Sequence, residues 1–322
     1  MPGADHWERV ARRLKLRDLR VLLTVQKCGS MAKAAQQLGV SQPAVSLTIS
    51  NMEQLLGLKL FDRMAHGVVP TLFGAELANG VAASTDSLAQ SLRKIAYLQD
   101  PTVGDFKVGC PDTVSVLLMP LIERMHRKSP RIRVHVLDTV APTLHLPAVL
   151  DRKIDLAIVR IAGPVENRTL HPDLKVEVLF NDLTAIVAGM TSKWARRRKL
   201  TLSDLEQASW ILPPPETLNH QIVESSLSYE GCAPPLVNLV TFSFQLRVSM
   251  LANDDYVSVL PQSVLKMHGD WLPVKRLPVA LRPHVWPTVL VTLKSRTLNP
   301  LASSFIDRLK ESTRFLDVPA KA

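Results

Sequence analysis

The chain holds three cysteines in 322 residues, Cys28, Cys110 and Cys232, and no two of them form a CxxC pair. That count excludes a disulfide-stapled scaffold, argues against a thiolate zinc site and points to a reducing compartment. Long apolar runs are also missing. The longest, about Val116–Ile122, contains a proline and falls far short of the ~20 residues a membrane span needs. Met1 to Lys15 alternates charged with apolar residues and lacks the apolar stretch of a signal peptide. A cytoplasmic protein with no membrane partner is therefore expected. Catalytic signatures are absent too: there is no GxSxG, no GxxxxGK, no GxGxxG after a strand and no HExxH. Ser91-x-x-Lys94 and Ser263-x-x-Lys266 match a four-residue pattern that chance supplies, and the nine histidines are scattered without ligand spacing. Neither catalysis nor a bound metal or cofactor is expected.

What is present is an ordinary globular mix, 46% hydrophobic and 21% charged, long enough for two or three domains at roughly 100–200 residues each. The net charge of +10 is unevenly spread. Residues 1–70 carry 10 Lys/Arg against 5 Asp/Glu, 71–100 are near neutral, and 101–322 add only +6. A small basic module ahead of a nearly balanced body suggests an anionic partner for the N-terminus.

The periodicity of Leu19, Leu22, Leu23 and Val25 predicts a helix over 17–28, closed by Gly29. Ser30 caps a short second helix, Met31–Leu38, and Gly39-Val40-Ser41 is a tight turn. Ser41 then caps a third helix to about Leu55, with Pro43 tolerated in its first turn. Two helices joined by a short glycine turn make a helix-turn-helix. Leu58–Arg63 and Val68–Thr71, with Gly67 between, read as a hairpin or wing. A long helix follows to about Leu98. Its apolar seam (Leu77, Val81, Leu88, Ile95, Leu98) repeats at heptad spacing, which favours self-pairing over packing on its own domain. After a linker at 100–105 the texture becomes strand–helix alternation, a βαβαβ unit with a parallel sheet and then a second α/β unit.

The run from Cys28 to Arg63 resembles the LysR-type transcriptional regulators. Gly29-Ser30, Ala34-Ala35, Leu38, Ser41-Gln42-Pro43-Ala44-Val45-Ser46, Glu53, Leu56-Gly57 and Leu60-Phe61-x-Arg63 fall at that family's spacing, as does Thr71-x-x-Gly74. Ile154–Ile158, Pro120 and Val257–Pro261 look like landmarks of its body. The resemblance implies a winged helix-turn-helix (1–70), a dimerising linker helix (71–100) and a two-lobed α/β effector domain (101–322) like type 2 periplasmic solute-binding proteins. Lobe I is expected at about 101–163 plus the C-terminal helix, and lobe II at about 164–294. It also implies promoter DNA, a small-molecule effector, RNA polymerase and further copies of the chain, commonly four, as partners. The chain departs from the family at Ser50 and His66, where basic residues are usual, and at Arg152, where glycine is usual.

A helix in the major groove reads bases chiefly with its N-terminal residues. The expected DNA-binding set is therefore Ser41, Gln42, Pro43, Ser46 and Thr48, with Arg63 and His66 flanking the wing against a phosphate or the minor groove. Gln42 can pair bidentately with adenine. In two-lobed α/β domains ligands sit beyond the carboxyl ends of the strands. Three loops meet that description, and Asp112, Thr113, Ser115, Thr139, Thr143, Arg160 and Thr217 are the expected effector contacts. Asp112 and Glu216 place negative charge where an acid would bind, with Arg160 as their offset; a small polar organic acid is the expected effector. A redox-sensing regulator acting through Cys110 and Cys232 is the alternative, and an α/β enzyme ranks below it.

Overall fold

The structure is a computed structural model that describes residues 4–139, 146–163, 165, 171–282 and 284–318. The chain forms two compact units, Met1–Ser91 and Leu92–Ala322. The first opens with α1 (Ala4–Arg13), α2 (Leu16–Cys28), α3 (Met31–Leu38) and α4 (Gln42–Leu56). The hairpin β1 (Phe61–Met64) and β2 (Gly67–Pro70) follows, and then the long α5 (Leu72–Gln99). The Ser30 and Ser41 hydroxyls accept the Lys33 and Ala44 amides, so α3 and α4 start where capping chemistry predicts. Leu22, Val25, Ala34, Ala35, Val45, Ile49, Met52 and Leu60 form the core of this unit. The small Ala34-Ala35 pair lets α3 lie close against its neighbours, leaving the first turn of α4 exposed.

Packing in this unit corrects the reading of α5. Val81 is 6% exposed and belongs to the domain's own core, with Leu77 packed against it. Leu88, Ile95 and Leu98 stand exposed, joined by Leu92. A heptad repeat fixes a face but not what covers it, and here the face changes neighbours along the helix.

In the second unit come β3 (Val103–Cys110), α6 (Asp112–Ser115), α7 (Met119–Lys128), β4 (Arg131–Asp138), α8 (Pro147–Leu150), β5 (Leu156–Arg160) and β6 (Leu174–Asp182). Next are β7 (Thr184–Gly189), β8 (Ser209–Leu212), α9 (Leu218–Tyr229), β9 (Leu236–Val240) and α10 (Phe244–Asn253). The chain continues with β10 (Val257–Pro261), α11 (Gln262–His268), β11 (Val274–Arg276), β12 (Trp286–Leu293) and α12 (Pro300–Thr313). Two five-stranded sheets result, ordered β4-β3-β5-β12-β6 and β11-β7-β10-β8-β9. The β3–β4 and β3–β5 ladders are parallel, as the βαβαβ pattern predicts.

The lobe boundary differs from the expected one. β6 and β12, both assigned to lobe II from sequence order, complete the lobe I sheet. β12 runs antiparallel to β5, with Thr288 opposite Arg160, and to β6 on its other edge. The chain therefore enters lobe II at Leu183 and returns before Trp286. A single apolar cluster joins the lobes, including Phe106 and Ile158 from one sheet and Val187 and Leu260 from the other. His268 ties them again through a 2.8 Å contact from Nε2 to the Val116 carbonyl. Its Nδ1 accepts the Trp271 indole N–H, so Nε2 carries the proton and donates.

Candidate functional site

Two sites emerge, one in each unit. Ser41, Gln42 and Pro43 lie exposed at the start of α4, with Ser46 half-buried one turn on. Thr48 is half-buried and donates its hydroxyl to the Ala44 carbonyl at 2.9 Å, which leaves only its lone pairs and methyl for a partner. Arg63 and His66 are exposed on the hairpin. That hairpin is fixed from behind. Val68 donates its amide to the Gly29 carbonyl at 2.9 Å, and a Cβ on Gly67 would come within 2.2 Å of that same oxygen. The Thr71 hydroxyl accepts the Gly74 amide and donates to the Lys59 carbonyl.

A concavity of about 1220 Å³ runs along α4 and collects residues the sequence reading missed. Thr48, Asn51 and Gln54 form one wall, and Arg12, Arg13, Lys15, Arg17 and Arg20 form the other. All five cations are exposed. Arg12 pairs with Glu8 and Arg17 with Asp18, both at 3.6 Å. The signal was available in the sequence: five basic residues lie between 12 and 20, against the single Asp18.

The second site is a cavity of about 200 Å³ between the lobes of the second unit. Asp112, Thr113, Arg160 and Thr217 line it, together with Glu216. Ser115 and Thr139 do not. Ser115 donates to the Asp112 carbonyl at 2.7 Å, and Thr139 turns back to the Leu137 carbonyl. Both hydroxyls serve the local backbone, which a sequence cannot distinguish from ligand binding. Thr143 lies outside the described residues. Thr217 caps α9, accepting the His220 amide and donating to the Pro214 carbonyl at 2.7 Å.

Arg160 does not offset Asp112 or Glu216 as expected. Its Nε lies 3.9 Å from Asp182, a buried carboxylate held by Ser263, and its guanidinium stacks over Trp286 at 5.4 Å. Burial lowers its pKa and the Asp182 charge opposes that shift.

Arg247 is the residue the sequence did not reveal. It sits in the first turns of α10 at 1% exposure and lines the cavity. Its Nε and Nη1 atoms find no hydrogen-bond partner among the described residues. Burial pulls its pKa down to about 10, with Asp112 pushing the other way. Asp112 in turn accepts the Phe244 amide at 2.8 Å, so it holds the end of the helix that carries Arg247.

Among the described residues no group of three or more His, Cys, Asp or Glu is placed to hold a metal ion. Cys110 is buried, and desolvation together with Asp138 and Asp112 pushes its thiol up to about 12. Such a thiol stays protonated and unreactive.

Residues 16–75 match the bacterial regulatory helix-turn-helix of the lysR family, and residues 99–314 match the LysR substrate binding domain. The chain belongs to the LysR family of transcriptional regulators. Its relatives include the HTH-type regulator GbpR of Azospirillum brasilense, 26% identical over 313 residues that cover 95% of this chain and 90% of the relative. Among solved structures, full-length OxyR of Pseudomonas aeruginosa superposes with a TM-score of 0.59 at 22% identity, covering 94% of this chain and 95% of that one. Full-length CbnR complexed with its target DNA gives 0.57 at 18% identity, covering 93% and 100%. As a LysR-family member the protein binds DNA through its helix-turn-helix and a small-molecule effector through its substrate-binding domain. Within the helix-turn-helix motif, Glu53, Gly67, Thr71 and Gly74 shape the wing, while Ser41 to Pro43 face outward. Arg152, where the family has glycine, is held at a φ of +57°. That left-handed conformation explains why glycine suits the position.

Proposed function

We propose that this regulator reads its operator with the exposed first turn of α4, anchors on phosphates with the α1–α2 cations, and is controlled by a compact organic acid between its lobes. One observation carries the effector half: a fully buried guanidinium, Arg247, borders a cavity and lacks partners among the described residues for two of its nitrogens. An unpaired charge in such a place costs several kcal/mol, and an anionic ligand group removes that cost through charge-assisted hydrogen bonds. Thr113 and Thr217 supply nearby hydroxyls.

Gln42 is the base-reading residue, with Ser41, Pro43, Ser46 and Thr48 at the groove wall and Arg63 and His66 on the backbone beside it. Arg13, Lys15 and Arg20 add phosphate contacts outside the helix-turn-helix proper. The exposed apolar face of α5 pairs with a second copy, and further copies complete a tetramer able to engage RNA polymerase at a promoter. Effector binding shifts DNA affinity only if it favours one of two states of this assembly. Because one apolar core spans both lobes, wide opening of the cleft would expose it. The differential contact therefore lies in the cavity wall around α10 rather than in a large hinge motion.

Fluorescence anisotropy with a promoter fragment and a scrambled duplex tests the DNA half. Gln42→Ala should weaken promoter binding by at least tenfold and leave the scrambled duplex nearly unchanged. Equal losses on both would remove Gln42 from base reading.

A further inference from the structure

Resting on the effector-cavity reading above, we infer that the ligand is a zwitterion, a neutral amino acid with an apolar side chain. The charges around the cavity decide this. Arg160 is the better engaged of the two guanidinium groups: Asp182 stands 3.9 Å from its Nε, which makes no hydrogen bond among the described residues, and Asn219 and Thr184 accept from its terminal nitrogens at 3.3 Å. Arg247, with two unpartnered nitrogens against one on Arg160 and no ion pair like that with Asp182, is the guanidinium more open to a ligand carboxylate. Three acids, Asp112, Asp138 and Glu216, line the same cavity.

A dicarboxylate would place its second anion among those three acids with Arg160 already paired. A simple monocarboxylate would satisfy Arg247 and leave the acids facing one another. A molecule with one carboxylate and one ammonium satisfies both sets. Asp112 is the ammonium partner best placed to couple the two, since one of its oxygens holds the Phe244 amide and the other is left for a donor. Its charge also reaches Arg247. Beside the Thr113 and Thr217 hydroxyls and Asn219, the wall carries apolar surface from Val114, Leu218 and Phe242, which suits a hydrocarbon side chain. The volume of about 200 Å³ lies below the ~300–1,000 Å³ of sites for drug-sized ligands, which limits the occupant to a single small acid.

Isothermal titration and thermal shift on the full chain test the inference. The probes are the twenty protein amino acids, the deaminated acid and decarboxylated amine of the strongest binder, and succinate as a dicarboxylate. The expected result is binding of an apolar amino acid, with each half-molecule at least tenfold weaker and succinate weaker still. Arg247→Met should abolish binding, with far-UV circular dichroism to confirm its fold. Asp112→Asn, at an exposed position that keeps an acceptor for Phe244, should weaken the amino acid at least tenfold and leave the deaminated acid unchanged or tighter. If succinate or a deaminated acid binds the wild type as tightly as any amino acid, and does so through Arg247, the zwitterion is wrong and the cavity reading stands. Silence from every probe, or binding indifferent to Arg247→Met, overturns both.

Discussion

Glu53, one turn from the end of α4, accepts the backbone amide of Leu60 at 2.9 Å across the turn that leads into the wing. The same carboxylate takes the Phe61 amide at 3.3 Å and the Lys59 ammonium at 2.8 Å. One side chain thus ties the recognition helix to the hairpin beside it. The wing's position is set by backbone hydrogen bonds to a half-buried acid, and Arg63 and His66 inherit that placement.

Replacing Glu53 with alanine should therefore destabilise the first unit by about 1–3 kcal/mol, the cost of leaving buried amides unpaired. Burial alone would raise the Glu53 pKa, but bonds from Lys59, Leu60 and Phe61 outweigh it and hold the group below its ordinary value. A depressed carboxylate contributes stability that is complete above its unfolded pKa of about 4.5 and fades as pH falls through the lower folded value. Urea unfolding at pH 7 should separate wild type from Glu53→Gln, and the gap should close in more acidic buffer. A gap that widens in acid would contradict the assignment.

The glycines around the wing give a second, sharper contrast. A Cβ on Gly74 would meet the Leu60 carbonyl oxygen at 2.0 Å, and one on Gly67 would meet the Gly29 oxygen at 2.2 Å with φ at +142°. Both neighbours are backbone and cannot step aside. Alanine at either position should cost about 1–3 kcal/mol or more by overpacking and should disturb DNA binding through the wing. Gly80, in the interior of α5, has nothing within 4 Å of its Cβ position. Gly80→Ala should instead stabilise by about 0.5–1 kcal/mol through helix propensity. Thermal denaturation of the three variants reads the signs directly.

The basic wall opposite α4 predicts a particular salt response. Each phosphate contact contributes about 0.9 to the slope of log affinity against log salt on duplex DNA. Arg13→Ala and Arg20→Ala should each lower affinity for cognate and scrambled duplexes alike, reducing the slope by about 1 per residue. Gln42→Ala should leave the slope unchanged while narrowing the difference between the two duplexes. Measuring affinity across a salt series distinguishes these outcomes, and an unchanged slope in the arginine variants would remove them from the phosphate set.

How far the sequence could be read depended on how local each cause was. Caps and turns are written in a few neighbouring residues, so α2, α3 and α4 lie within a residue or so of where Gly29, Ser30 and Ser41 place them. Sheet membership is not local. β6 and β12 follow residues 164 and 284 in the chain, yet β12 pairs with β5 and β6 pairs with β12, because antiparallel partners are chosen by surface rather than order. Leu77 and Val81 share the period of Leu88 and Ile95, yet the first pair is claimed by the core of its own unit and the second is not. The effector site was half legible. Loop hydroxyls suggested where to look, but Ser115 and Thr139 spend theirs on backbone carbonyls. Arg247 was hidden because a single arginine in an apolar helix reads as a solvated side chain.

Cys110 predicts a negative result. With its pKa pushed up to about 12 by burial and by Asp138 and Asp112, almost no thiolate exists at neutral pH. Brief alkylation of the native protein at pH 8 should modify the half-buried Cys28 and Cys232 and spare Cys110, which should react only after denaturation. Mild peroxide should leave promoter affinity unchanged. Rapid native labelling of Cys110, or a peroxide-dependent change lost in Cys110→Ala, would revive the redox alternative.

The divided face of α5 yields a last contrast between stability and assembly. Val81 belongs to the core of its own unit, so Val81→Ala should cost about 1–3 kcal/mol, the value of burying that side chain. It should leave the oligomeric state unchanged at concentrations where the protein is folded. Leu88 and Ile95 are 50% and 54% exposed in the single chain, and Leu92 between them is 58% exposed. Three large aliphatic side chains at spacings of four and three make a stripe that water tolerates poorly and a second helix covers well. Leu88→Lys with Ile95→Lys should therefore lower the mass measured by light scattering by separating the copies paired through α5, with little change in the unfolding midpoint of the second unit. Promoter affinity should fall with the loss of the paired half-site, because each subunit then binds with only its own contacts. An unaltered mass would mean that assembly is held elsewhere on the chain and that this stripe is not its seam.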